Sequence, residues 1–120
     1  MLLNDLYRIE NSTLAGNSIQ TSVLLNPQHA IFKGHFPQTP VLPGVCQIQL
    51  CTEILNAVLQ KNYQITNVLS VKFLSFVNPE ENADLAVQLD FSEAENGLSL
   101  NASIHKENVI FLKLKAILKS

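Results

Sequence analysis

The stretch Gly44-Val45-Cys46-Gln47-Ile48-Gln49-Leu50-Cys51-Thr52-Glu53-Ile54-Leu55-Asn56-Ala57-Val58-Leu59-Gln60 decides the architecture. Val45, Ile48, Cys51, Ile54, Leu55, Val58 and Leu59 fall near helical spacing. Pro43-Gly44 suits a helix start. Glu53 is the only charged residue of the run. A surface helix carries a charged face, so the pattern predicts a helix enclosed on most sides.

Strand patterns lie on either side. After the helix come Val68–Phe76, Ala83–Phe91, Leu98–His105 and Val109–Leu118. Leu85, Val87, Leu89 and Phe91 alternate with Ala86, Gln88 and Asp90, and Leu98, Leu100, Ala102 and Ile104 alternate with polar residues. Such alternation predicts antiparallel strands with one buried face. Asn96-Gly97 and Lys106-Glu107-Asn108 read as hairpin turns. Before the helix, Ile19, Thr21, Val23 and Leu25 give a period-2 strand, Leu6–Glu10 a weaker one, and Ala15-Gly16-Asn17-Ser18 a turn between them. The prediction is an α+β layout, one buried helix wrapped by an antiparallel sheet of about five or six strands.

Bulk composition agrees. The 120 residues fit a single domain, 1–120. Hydrophobic residues at 47% and charged residues at 15% argue against disorder and coiled coil. A formal charge of -2 argues against a nucleic-acid partner, which calls for a basic face. No apolar run is long enough to span a membrane. The first residues lack the basic and apolar regions of a signal peptide. With two cysteines there is no disulfide scaffold, and the expected compartment is the cytoplasm.

The residues that suggest chemistry precede the helix. Four of the five prolines, Pro27, Pro37, Pro40 and Pro43, fall between Asn26 and Pro43 and mark a loop. Within it, Phe32-Lys33-Gly34-His35-Phe36-Pro37 leads to Pro40-Val41-Leu42-Pro43-Gly44-Val45. A histidine in a proline-framed loop thus sits just before a helix N-terminus, whose free amides carry partial positive charge. Amides of that kind stabilise an enolate-like oxyanion, and a base beside them is placed to remove a proton α to a carbonyl. The plainer reading is that His35 only hydrogen-bonds its own loop.

Gly34-His35-Phe36-Pro37-x-x-Pro40-x-x-Pro43-Gly44-Val45 closely resembles the signature of the hot-dog-fold 3-hydroxyacyl-acyl carrier protein dehydratases of the FabZ/FabA type. Lys72-Phe73-Leu74-Ser75-Phe76-Val77-Asn78-Pro79 is similar to a second family segment, but Glu80 and Glu81 stand where that family has Gly-Asp. The likeness is good over residues 31–53 and loose over 68–82. It implies a hot-dog fold, a long central helix wrapped by an antiparallel sheet. It implies syn elimination of water from a 3-hydroxyacyl thioester, with His35 as base and the Gly44 amide on the thioester carbonyl. Val45, Phe36 and Pro43 would help line the substrate site. A homodimer or higher oligomer is implied as well, because two subunits build each site. The implied partner is an acyl carrier protein, in fatty-acid or polyene-type lipid synthesis.

The family's acid does not carry over. Five residues beyond Gly44 the family has Glu or Asp, and this chain has Gln49. A carboxamide gives up no proton near neutral pH. Glu53 follows four residues later on nearly the same helix face, about 6 Å along the axis. A lone carboxylate on an enclosed helix is expected to have a raised pKa. Glu53 is therefore a candidate acid, directly or through water; otherwise it is a structural carboxylate bonded to a neighbour. Two further readings follow from Gln49: a degenerate protein that binds acyl chains or carrier protein, and one half of a mixed dimer. A hot-dog thioesterase is the third.

Other candidates are weaker. Cys46 and Cys51 lie about 140° apart on a helix and read as core residues, with a Cys46–His35 nucleophile pair as the sharper alternative. His29 reads as a surface residue within reach of the cleft, and His105 as solvated. Lys33 and Lys72 are candidate contacts for an acidic carrier protein, with Lys113 and Lys115 on one strand face beside them. There is no Gly-rich phosphate loop, metal-ligand cluster or Ser-His-Asp arrangement, so neither cofactor nor metal is expected.

Overall fold

The helix forms as α1, Gly44–Leu59, and ends at Gln60, whose left-handed backbone stops it. Asn56 finishes that end by accepting from the Tyr63 amide and donating to the Tyr63 carbonyl. The computed structural model describes residues 1–33 and 39–120. Gly34, His35, Phe36, Pro37 and Gln38 lie outside the described residues.

Six strands pack against one side of α1: β1 Tyr7–Ala15, β2 Ser18–Leu25, β3 Gln64–Phe73, β4 Asp84–Ala94, β5 Gly97–Lys106 and β6 Val109–Lys119. They form one sheet in the order β1-β2-β4-β5-β6-β3, antiparallel at every pairing. The chain leaves β2, carries α1 across one face, and lays β3 on the far edge. Ile19, Val23, Leu85, Val87, Leu89, Leu100, Ile104, Leu112, Leu114 and Leu118 point from the sheet into the core, where Leu50, Cys51, Ile54 and Leu55 meet them. Burying a side chain of that size stabilises by about 1.5–3 kcal/mol, so this one face supplies most of the driving force for folding.

The three strands β4–β6 follow the predicted alternation closely. Their first hairpin turns one residue earlier than expected, at Glu95-Asn96, with Asn96 taking the positive φ of 61°. Gly97 opens β5 instead. A Cβ there would lie 2.2 Å from the Leu118 carbonyl oxygen, so only glycine permits this close pass of two strands. The edge strands differ more. β1 runs to Ala15, well past Glu10, because it pairs with β2 through Ala15↔Ser18. β3 starts at Gln64, four residues before Val68, and stops at Phe73 rather than Phe76. Register shifts between Ile65 and Asn67 and between Val68 and Ser70 break its period.

The helix is less enclosed than predicted. Cys46, Gln47, Leu50, Cys51, Ile54 and Leu55 form its buried face. The opposite side, with Val45, Gln49 and Ala57, is open in this chain and carries no net charge outside Glu53. On the inner face of β3, Val68, Val71 and Phe73 pair with buried Ala116, Leu114 and Leu112, yet remain exposed themselves. The uncharged helix face and the bare apolar edge therefore belong to a surface that α1 alone does not cover.

Candidate active site

The loop that carries His35 is fixed at both described ends. On the near side, the His29 Nδ1 accepts from the Ile31 amide, which starts the short 3-10 turn Ala30–Phe32. With that nitrogen accepting, Nε2 carries the proton and reaches Asp5 Oδ2 at 3.1 Å. His29 is thus a tether between the N-terminal segment and the loop, and Lys33 is exposed just beyond it. On the far side, the Leu42 amide donates to the Val77 carbonyl, and Gln47 Nε2 donates to the Leu42 carbonyl. Leu42 is buried, so Pro43 and Gly44 are held in place by the residue before them.

Pro43 is the N-cap of α1, with φ -60° and ψ 146° and no side-chain cap. The amides of Cys46 and Gln47 both turn back to the Pro43 carbonyl, at 3.1 Å each. Among the described residues no acceptor meets the amides of Gly44 or Val45. These are the two donors a carbonyl oxygen would find at this end. Phe73 packs against Gly44 itself. A Cβ on Gly44 would lie 2.5 Å from the tip of the Phe73 ring, so the absence of a side chain is what lets the ring approach. Val45 is 72% exposed beside it. Pro43, Gly44 and Val45 stand at the helix start as the sequence pattern predicts, while Phe73 was readable only as part of an aromatic run.

Glu53 lies along the same open side of α1, and four donors surround it. Its Oε2 accepts from the Leu2 amide at 2.9 Å and from Gln49 Nε2 at 2.8 Å. Its Oε1 accepts from the Leu3 amide at 2.9 Å and the Tyr7 hydroxyl at 3.0 Å. Partial burial pushes the carboxyl up, but the hydrogen bonds from Leu2, Gln49, Tyr7 and Leu3 outweigh it and hold the group below its ordinary range. This corrects the raised pKa expected from an isolated carboxylate: the helix supplies no charge, but the N-terminal segment supplies donors. Tyr7 shifts the other way, its hydroxyl pushed up first by burial and then by the Glu53 charge beside it.

That network predicts a stability loss. Removing the carboxylate in Glu53→Ala leaves two amides and a part-buried hydroxyl without their acceptor, a loss of about 2–4 kcal/mol. Because the folded carboxyl is held low, its contribution is complete above the ordinary carboxylate range and disappears as pH falls through the folded value. Thermal melts across the acid range should show the difference between wild type and Glu53→Gln shrinking as pH drops. A constant difference would mean the charge plays no part.

The remaining candidates separate by environment. Cys46 and Cys51 are free and buried, and burial pushes both thiols up, Cys51 to about 12. This is opposite to the activation a nucleophile needs, so the Cys46–His35 pairing is not supported. Lys72 lies on the outer face of the sheet, paired with Lys113, and shares a hollow of about 360 Å³ with Lys115, Ser70 and Ser103. Phe73, next in the chain, points to the inner face. Lys33 and Lys72 are therefore on different elements, Lys33 just before the loop and Lys72 on the outer face of the sheet. Among the described residues no metal-ligating cluster occurs, and no helix is long and apolar enough to cross a membrane.

A long helix laid across a six-stranded antiparallel sheet, with a proline-framed loop feeding its N-terminus, is the hot-dog fold. The family model of the ApeI dehydratase matches residues 11–112, and the chain belongs to this ApeI-like dehydratase family. No curated protein matches it. Among solved structures it is similar to the dehydratase heterocomplex ApeI:P from Xenorhabdus doucetiae, with a TM-score of 0.75, 22% identity, and 93% of this chain and 96% of that chain covered. An uncharacterised protein from Erwinia carotovora aligns with a TM-score of 0.61, 21% identity and coverage of 92% and 90%. A hypothetical thioesterase with coenzyme A from Streptococcus pneumoniae aligns with a TM-score of 0.65, 12% identity and coverage of 93% and 83%. At these identities the structural likenesses speak to the fold.

Proposed function

We propose that this protein removes water from 3-hydroxyacyl groups carried as thioesters on an acyl carrier protein, in fatty-acid or polyene-type lipid synthesis, as a subunit of a dimer or higher oligomer. The observation that carries the reading is the pair of amides of Gly44 and Val45, which meet no acceptor among the described residues, at the helix start that Phe73 packs against and that follows the loop carrying His35 in the sequence. The thioester oxygen accepts from the Gly44 amide, which stabilises the enolate formed when His35 takes the α-proton. The Cβ–O bond then breaks, the C=C bond forms, and the departing hydroxyl takes a proton from solvent to leave as water, while His35 gives the α-proton back to solvent. Gln49 hydrogen-bonds that hydroxyl, and Glu53 acts through Gln49. Phe36, Pro43 and Val45 border the acyl group, and Lys33 and Lys72 face the acidic carrier. Purified protein given a 3-hydroxyacyl carrier protein should yield the enoyl product, lighter by one water. Release of free acid instead would make it a thioesterase, and no conversion of any chain length would overturn the reaction.

A second reading is favoured by one specific observation. Gln49 has no acidic proton, and Glu53 is fully engaged by four donors. In this reading the chain pairs with a related subunit that supplies the acid, as the heterocomplex nature of the Xenorhabdus protein suggests. Turnover that appears only on mixing with a hot-dog partner bearing Glu at the corresponding helix position would select it.

A further inference from the structure

Gln49 and Glu53 sit one helical turn apart on the open side of α1, and the Gln49 Nε2 donates to Glu53 Oε2 at 2.8 Å. The carboxylate has little freedom to turn. The Leu2 amide reaches both oxygens, and the Leu3 amide and the Tyr7 hydroxyl both donate to Oε1. These donors lie 46 to 51 residues away in the chain, so the acceptor direction offered to Gln49 is set by the N-terminal segment and not by the helix. That segment is itself fastened: Leu6 is buried, its carbonyl accepts from the Asn26 amide, and Asp5 holds His29. A carboxamide donates from nitrogen and accepts at oxygen. With its nitrogen drawn to Glu53, the Gln49 oxygen is turned away from the carboxylate, and the side chain is exposed.

We propose that Glu53 is a positioning residue, braced by Leu2, Leu3 and Tyr7, that holds the Gln49 carboxamide in one orientation and thereby makes the site select acyl thioesters bearing a 3-hydroxyl over unsubstituted ones. This deepens the dehydration reading and rests on it. A freely turning amide spends only part of its time presenting the right atom to a hydroxyl. A fixed one has met that ordering cost in the folding of the chain, and the selectivity gained is a hydrogen bond's worth, about tenfold.

The test uses binding, separate from turnover. Amide analogues of a 3-hydroxyacyl and a plain acyl pantetheine thioester are too weakly acidic at the α-carbon to eliminate, and titration calorimetry measures both. Wild type is expected to bind the hydroxylated probe about tenfold more tightly. Gln49→Leu and Glu53→Gln are expected to bring the ratio close to one. Tyr7→Phe removes one brace but leaves the Leu2 and Leu3 amides in place, so it should lower the melting temperature and keep most of the preference. If Glu53→Gln does not fold, Glu53→Asp, whose shorter side chain cannot span the same donors, is read in its place. A ratio unchanged in the Glu53 variant but lost in Gln49→Leu would overturn the proposal and leave Glu53 as an anchor for the N-terminal segment. A wild-type protein that forms enoyl product without any hydroxyl preference also overturns it, while dehydration stands. Failure to bind either probe, with no enoyl formed, removes the dehydration reading and this inference together.

Discussion

Gln49→Glu is expected to raise the rate of enoyl formation by about 10²–10⁴-fold, the range a positioned general acid supplies. The introduced carboxyl would take the place of an amide that now sits 2.8 Å from Glu53 Oε2. Two carboxyls at that separation do not both ionise readily, and the proton goes to the one less well served by donors. Glu53 keeps Leu2, Leu3 and Tyr7, which favour its anion. The proton therefore stays on residue 49, on the open side of the helix, with a raised pKa. That is the condition for an acid that protonates a leaving hydroxyl near neutral pH. Mass analysis of carrier-bound product measures the gain, and the variant's rate should decline with rising pH as the introduced carboxyl ionises. Adding His35→Ala should abolish the gain, since protonating the hydroxyl achieves nothing without removal of the α-proton. A Gln49→Glu protein no faster than wild type would show that the hydroxyl departs without help from this position.

Strands β4 to β6 bury one face each, so alternation was visible in the letters. The helix was visible because its apolar spacing lies between Pro43 and the left-handed Gln60. β1 and β3 are edge strands with exposed side chains and register shifts, and both conditions erase the period-2 signal. The helix start at Pro43-Gly44 was legible through its motif. The setting of Glu53 was not: its donors Leu2, Leu3 and Tyr7 are remote in the chain, and two of them are backbone amides, which no side-chain pattern reveals. Burial without those donors gave the wrong direction for its pKa. The open helix face was misjudged for a related reason. Absence of charge signals that a face will be covered, and one chain's sequence does not say whether the same chain or another covers it.

Val71→Glu is expected to abolish self-association while leaving the protomer folded. Val71 pairs with buried Leu114 and shares the inner face of β3 with Val68 and Phe73, yet it is 38% exposed in the single chain. A carboxylate there still reaches water in the free protomer, so folding is spared. In an assembly that covers this face the same carboxylate is taken out of water with no cation facing it from β3's inner side. The desolvation cost is several kcal/mol per subunit, and about 4 kcal/mol corresponds to a loss of roughly 10³-fold in affinity. The strand is suited to such contact: as a sheet edge it has unpaired backbone groups along one side, and Leu69, Leu74 and Phe76 extend its apolar surface. Sedimentation should find wild type associated and Val71→Glu monomeric, with the two sharing one melting profile at low concentration. Turnover should fall when association is lost, because Phe73, the last residue of β3, packs against Gly44, and a displaced edge moves that contact. An associated Val71→Glu protein would place the contact elsewhere and leave the bare inner face of β3 for the acyl chain itself.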